Sequence, residues 1–437
     1  MKKYLLYIIL ATFGLSSCKK DNDKPIIGDV DERLSEVLEE YSKQLTDAEF
    51  GWKGYLLTDN QTSATFLFKF DKKNRTVMAA DYEEEPAESS YRLKALQRPT
   101  ILFDTYSTLH LIADPNSNVI GGTTGMGYYS DFEFAFMSSS ADTIKLEGLL
   151  NKSKLLLIRS KSKAESENVF SALSNVSDAA AKIKTYFKRT TIDGVECEVK
   201  LDGASQIFSL SYLEEGNLKT VDTYYYVSGT TVVFYTPLEV GKTTIKEITD
   251  VGFDVSSSSL KAKVNGTQIS IKEALVPLKM DMTAAQRWYD QKAVNPNDCW
   301  VSDNAFHAEG IDDFCKFKSV PNFQTLWYAG SSVFGGTPYD GMIAMTTSLM
   351  APYTASKMPI DVKDGKAKFT LIGSAGTFTD TSPIAKAMSA ARTILYGGAT
   401  AGSSEEWYLI PTSNDGKRYD MVRAKDAQAW ISWRPKS

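Results

Sequence analysis

Four carboxylates crowd one stretch of this chain: Asp104, Asp114, Asp131 and Glu133. A glycosidase needs two carboxyl groups held about 5 Å or about 6.5–9.5 Å apart, and carboxylate oxygens are also what calcium prefers. Asp131 and Glu133 alternate with Phe132 and Phe134, which puts them on one strand face, opposite the aromatic one. Plain solvation explains such a face equally well, and no EF-hand spacing accompanies it. Nearby, Gly121-Gly122-Thr123-Thr124-Gly125-Met126-Gly127 is rich in glycine. It lacks the Gly-Lys-Ser/Thr ending of a phosphate cradle, and a strand rather than a helix follows. We therefore expect a loop that lines a site. Tyr128 and Tyr129, with Asp131, are the binding candidates beside it, the tyrosines as stacking surfaces for a sugar or peptide.

Histidine is scarce. His110 and His307 are the two in the chain, far apart and without an HExxH pattern. Glu309, Asp312 and Asp313 near His307 make a weak ligand set. A catalytic zinc site needs three close protein ligands, and Ser-His-Asp or Cys-His chemistry needs a placed imidazole. No Gly-x-Ser-x-Gly elbow occurs. The expectation is no catalytic residue, no metal and no cofactor.

The cysteines divide by position. Met1-Lys2-Lys3 precedes the apolar run Tyr4–Ala11, followed by Leu15-Ser16-Ser17-Cys18. The run is shorter than the roughly 20 residues a spanning helix needs, so residues 1–17 have the form of a cleaved signal. Leu15–Cys18 resembles a lipobox, in which the cysteine thiol takes a diacylglycerol and the freed amine a further chain. Two or more chains anchor a protein stably. Residues 18–30, with Lys19-Lys20-Asp21-Asn22-Asp23-Lys24, form a polar tether, either a surface-export signal or simply a solvated linker. Cys299 and Cys315 are close enough to form a disulfide in an oxidising compartment, worth about 3 kcal/mol on the chain-entropy model, or they are buried free thiols. Cys197 alternates with Val195 and Val199 as a core residue would.

Apolar residues make up 43% and charged residues 24% of the chain, with a net charge of −5. An acidic chain with scattered lysines is a poor partner for nucleic acid. The length suits two or three domains.

The periodicities define the elements. Asp31 to Glu49 is expected as a helix, with Leu34, Val37, Leu38, Tyr41 and Leu45 on one face. Phe66, Phe68 and Phe70 then alternate with Leu67 and Lys69, and Tyr91, Leu93 and Ala95 with Arg92 and Lys94, so antiparallel strands follow. A second helix is expected from about Glu165 to Phe187, followed by strands around Phe208–Tyr212, Val251–Val255 and Leu260–Val264. The two stretches match in order: Phe68-Lys69-Phe70 with Leu210-Ser211-Tyr212, Tyr91 with Tyr224, and Ser130-Asp131-Phe132-Glu133-Phe134 with Thr249-Asp250-Val251-Gly252-Phe253. This is either a tandem duplication or the common look of β-meanders. The fold class expected is α+β and β-rich, with helix-plus-antiparallel-β-meander units over 31–163 and 164–278. A mixed α/β region over 279–437 completes it. There Ser382-Pro383 opens a helix, Gly397-Gly398 ends it, and Trp407–Ile410 pairs with Arg418–Val422 across Asn414-Asp415-Gly416.

Gly51-Trp52, Tyr91-Arg92-Leu93-Lys94, Leu102-Phe103-Asp104-Thr105-Tyr106, His110-Leu111, Ala113-Asp114-Pro115 and the closing Gly416–Asp420 resemble a Bacteroidetes lipoprotein family known only as domain of unknown function 4302. The resemblance supplies no catalytic residue. It implies an accessory role beside outer-membrane nutrient importers, with the membrane, an importer and its partner lipoproteins as neighbours. The expectation is a non-catalytic, lipid-anchored protein of the outer membrane, at the cell surface, binding a glycan or peptide. A hydrolase using paired carboxylates and a scaffold subunit of an importer complex are the alternatives. Cys18→Ser is expected to abolish incorporation of labelled palmitate and to release the protein from the membrane fraction; continued labelling would sink the lipobox reading.

Overall fold

The computed structural model describes residues 30–347, 350–375, 381–413 and 415–436. The signal, Cys18, nearly all of the tether and Asn414 lie outside the described residues. The chain divides into two compact units, Met1–Phe170 and Ser171–Ser437.

The first unit begins with helix α1 (Val30–Thr46). Eight strands follow: β1 (Trp52–Leu57), β2 (Ser63–Phe70), β3 (Arg75–Ala80), β4 (Glu83–Ala95), β5 (Pro99–Phe103), β6 (Glu133–Ser140), β7 (Thr143–Gly148) and β8 (Lys154–Arg159). Each strand pairs with the next, and β1 pairs with β8 from Trp52↔Arg159 to Leu57↔Lys154, which closes a barrel. The period-two phenylalanines point inward. Phe66, Phe68 and Phe103 are buried, and Phe66 and Phe68 stack with centroids 5.4 Å apart. Two strand residues tie down the end of α1. The Trp52 indole donates to the Leu45 carbonyl (2.9 Å), and the Arg159 guanidinium donates to the carbonyls of Gln44 and Asp47. These groups satisfy carbonyls that a helix terminus leaves without partners. Gly51 sits between helix and strand at φ +80°, where a Cβ would meet the Phe68 carbonyl oxygen at 2.5 Å; only glycine fits.

The second expected helix is broken. Helix α2 (Thr108–Leu111) lies in the β5–β6 connection, and α3 (Lys163–Glu167) ends the first unit. Ser162 caps α3 by accepting from Glu165 N, and the Asn168 side chain turns back onto the Ala164 carbonyl at 2.9 Å. The chain restarts as α4 (Ser171–Ala181), and Phe187 opens a strand instead of ending a helix.

In the second unit, β9 (Phe187–Ile192), β10 (Val195–Asp202), β11 (Ile207–Glu214), β12 (Asn217–Ser228), β13 (Thr231–Val240), β14 (Thr243–Asp254), β15 (Ser259–Val264) and β16 (Thr267–Ala274) form another closed barrel through β16–β9 pairing. Ala172 and Val176 of α4 pack into its core. The same interactions recur in the two barrels. Tyr91 donates its hydroxyl to the Asp71 carbonyl and its N–H to that of Asn74. Tyr225 does so to Asp202 and Gln206. Asn74 and Gln206 both have left-handed backbone, and the Asp71 and Asp202 carboxylates each cap the turn between. The counterpart of Tyr91 is therefore Tyr225, not Tyr224, and β2 corresponds to β10 rather than to the strand holding Leu210-Ser211-Tyr212.

The remainder holds α5 (Ala284–Val294), β17 (Cys299–Ser302), β18 (His307–Ala308), β19 (Phe323–Ala329), β20 (Tyr339–Thr346), β21 (Met350–Lys357), β22 (Asp361–Lys363), β23 (Lys366–Ala375), α6 (Pro383–Tyr396), β24 (Ser404–Pro411), β25 (Tyr419–Arg423) and β26 (Ala429–Pro435). They make one antiparallel sheet in which β17 pairs back to β26. Ser382 caps α6 and Gly397 ends it in left-handed conformation, as the sequence indicates. Cys299 and Cys315 are free thiols, so no disulfide forms. Cys299 packs with Val301 and Ala329 while Cys315 enters the main core, and burial pushes the two thiols up to about 11 and about 12.

Beneath this sheet the Lys292 ammonium lies 3.2 Å from both Asp298 and Asp340, and Tyr289 donates to Asp340 at 2.9 Å. Burial raises the Asp340 carboxyl above its ordinary range, against the pull of Lys292. Removing one member strands a buried charge. Lys292→Ala is expected to lower stability by about 3–5 kcal/mol in urea unfolding, with the double change Lys292→Met and Asp340→Asn recovering much of it.

Candidate functional site

Short turns join most strands of the first barrel, but β5 and β6 are joined by the long segment 104–132. Long connections on rigid sheets are where binding surfaces concentrate. Several contacts hold this one in place. Leu109 and Ile112 enter the barrel core, and Tyr82 donates to the Thr108 carbonyl at 2.8 Å. Gly125 N–H donates to the Pro115 carbonyl, and Thr123 and Gly127 pair in a tight hairpin.

His110 is the pivot. Its Nδ1 accepts from Ser107 N–H at 3.3 Å, so the proton sits on Nε2, which donates to the Phe103 carbonyl at 3.2 Å. Burial pushes this imidazole below its ordinary range. Both ring nitrogens are spent on backbone. The ring stands between two aromatics: Phe132 at 5.0 Å and 25°, and Tyr106 at 5.7 Å and 30°. Tyr106 is 57% exposed and Phe132 42%. Beside them Arg92 grips Asp104 with two hydrogen bonds, and Tyr106 donates to Asp114. Arg92 holds the Asp104 carboxyl below its usual range, and the Tyr106 hydroxyl does the same for Asp114. In return, Asp114 pushes the phenol up to about 12.

The residues singled out from sequence take other roles. Asp131 is buried and precedes β6. Its carboxylate accepts from Leu150, Asn151 and Ser153 N–H and from the Ser153 hydroxyl, which holds the β7–β8 turn. A Cβ on Gly148 would fall 1.9 Å from Asp131 Oδ2, so the missing side chain makes the seat. Tyr128 is half-buried against the barrel core and donates to the Ile120 carbonyl at 3.1 Å, a strut inside the loop. Tyr129 is half-buried with φ +55°. The exposed rings are instead Tyr106 and Phe132. Phe132 shares the alternation of the inward-facing Phe134 and Phe136, so nothing local marks it as exposed; its carbonyl accepts from Phe103 N–H where β6 begins.

A general acid needs a raised carboxyl. Of the four carboxylates, Asp104 and Asp114 are held low by their donors, and Asp131 is consumed by a turn. The arrangement presents flat apolar faces flanked by fixed hydrogen-bonding groups, the makeup of a recognition surface. Among the described residues no His/Cys/Asp/Glu group is placed to hold a metal ion.

These features define a closed antiparallel barrel protein with a single elaborated strand connection in its first barrel. More specifically, the chain belongs to the family described as domain of unknown function (DUF4302), matched over residues 28–250. A search of curated proteins finds no match. Solved structures offer distant likenesses. The octameric penicillin-binding protein homologue from Pyrococcus abyssi is 13% identical, covering 35% of this chain and 37% of that one, with TM-score 0.16. Transferrin binding protein B from Haemophilus parasuis Hp5 is 7% identical over 86% and 65%, with TM-score 0.18. Aeromonas veronii immune modulator A is 8% identical over 92% and 100%, with TM-score 0.19. At these TM-scores none bears on fold or function.

Asp131→Ala is expected to cost about 3 kcal/mol or more in urea unfolding, because several buried donors lose their acceptor. Glu133→Gln is expected to stay within about 0.5 kcal/mol. Equal effects would contradict this division of labour.

Proposed function

We propose that this chain is a non-catalytic lipoprotein of a Bacteroidetes outer membrane, anchored through Cys18 at the cell surface, that holds a glycan for a nutrient importer. The observation carrying the reading is the Tyr106–His110–Phe132 array. Its outer rings are exposed, its centre is fixed to backbone at both nitrogens, and charged groups are locked beside it. A pyranose offers C–H faces to such rings and hydroxyls to such groups. Preordered side chains spare the ligand the entropic cost of fixing them. A peptide with an aromatic side chain is the other ligand this surface suits. The engaged carboxylates argue against a hydrolase. The matched tyrosine and aspartate contacts support a duplication of helix plus meander.

Binding to glycan and peptide arrays, followed by titration of any hit, tests this reading. Tyr106→Ala and Phe132→Ala are each expected to weaken the hit roughly tenfold, since each removes a stacking face and its buried area. Tyr128→Phe is expected to bind normally. A hit that ignores both alanine changes would move the site elsewhere, and arrays without a hit would refute ligand capture.

A further inference from the structure

A cavity of about 680 Å³ lies within the second unit between the barrel and the C-terminal sheet. Lys188 and Lys200 reach it from β9 and β10, Lys318 from the segment before β19, and His307 and Trp430 from β18 and β26. The volume is in the range of small-ligand sites.

The charges around it are unevenly matched. Three aspartates line the cavity, and each is already engaged. Asp202 accepts from Ala204 and Ser205 N–H. Asp313 accepts from Phe317 and Lys318 N–H. Asp312 pairs with His307 Nδ1. The lysines are not matched in the same way. Lys188 is half-buried, and its ammonium donates to the Thr185 carbonyl at 2.8 Å; it has no carboxylate in ion-pair range among the described residues. Burial first, and then the nearby Lys200, bring it down to about 8, against the pull of Glu273 and Glu198. Lys200 has Asp420 at 3.6 Å, but that carboxylate already accepts from Tyr186 and Ser432 at 2.6 Å. Lys318 is exposed and has no ion pair among the described residues. Another part of the lining is flat and firm: the His307 imidazole stacks on Trp430 at 3.6 Å and 16°.

Glu198 is paired with Arg189 and Glu273 accepts from Lys184 N–H, and neither is in ion-pair range of Lys188, so an anion joining the two lysines would offset more of the cost of holding a half-buried ammonium beside a second one. We propose that this cavity binds a small ligand carrying an oxyanion (carboxylate, sulfate or phosphate), held by Lys188 and Lys200 with its body along the His307–Trp430 wall. The proposal is independent of the Tyr106 surface. An acidic sugar and free inorganic phosphate or sulfate share this chemistry, and the test separates them.

Glucuronate, inorganic sulfate and inorganic phosphate are titrated into the purified protein by calorimetry and tryptophan fluorescence. Neutral glucose, and chloride at equal ionic strength, serve as controls. At least one oxyanion is expected to bind and to change the emission, with Trp430→Phe abolishing that change. Lys188→Met and Lys200→Met are each expected to weaken binding roughly tenfold, the scale of a lost charge-assisted hydrogen bond. Tyr106→Ala is expected to leave it unaltered. Glucuronate binding more tightly than either inorganic ion assigns an acidic sugar, and the reverse order a free ion. Failure of all three to exceed chloride, or equal affinity in folded Lys188→Met and Lys200→Met proteins, overturns the proposal.

Discussion

Closure of the meander is the constraint on which everything else rests. An antiparallel sheet left open exposes two rows of unpaired N–H and C=O groups, and joining its ends removes both. Here β1 lies between β2 and β8, and β9 between β10 and β16, so each barrel completes its own hydrogen bonding. A barrel of eight strands can be filled by its own side chains. In the first one, Phe66, Phe68 and Phe70 stack along the interior and Phe103 packs against them. With the interior filled, recognition has to be carried by the connections between strands or by clefts where sheets meet.

The tyrosine contacts show how such a barrel fixes its geometry. Tyr91 and Tyr225 reach across to turns that open with an aspartate and close with a left-handed residue. A companion hydroxyl, from Ser89 or Thr223, ties the same strand to the Thr105 or Thr236 carbonyl. These bonds set strand register through polar groups, while the apolar face only has to be filled. The first barrel adds the long β5–β6 segment to this frame.

Local rules in the sequence carried much of this architecture. Alternating Phe66, Phe68 and Phe70 announced an inward strand face, and Ser382, Pro383 and Gly397 marked both ends of α6. Closure was not legible, because Trp52 and Arg159 pair across the whole first barrel and no local pattern encodes that contact. The role of Asp131 is hidden for a related reason. Alternation treats it as an outward strand residue, but it precedes the strand and fills the space that Gly148 leaves empty. The run Tyr224-Tyr225-Tyr226 offered three equivalent candidates, and only the hydroxyl contact to Asp202 separates them. The ring array is not legible locally, because Tyr106 and His110 come from one end of the β5–β6 segment and Phe132 from the other. Asp312 and His307 are near one another in the sequence, but the cavity they line needs strands from two sheets.

The junction of α1 with the barrel has a mechanical consequence. Tension entering the chain at Val30 runs along α1 and reaches a strand held on both sides, with Trp52 and Arg159 clamping the last helical turn. Pulling β1 out lengthwise must break two ladders at once, in shear, where an edge strand would peel one bond at a time. A pull applied ahead of α1 therefore meets a strand loaded in shear on both of its edges.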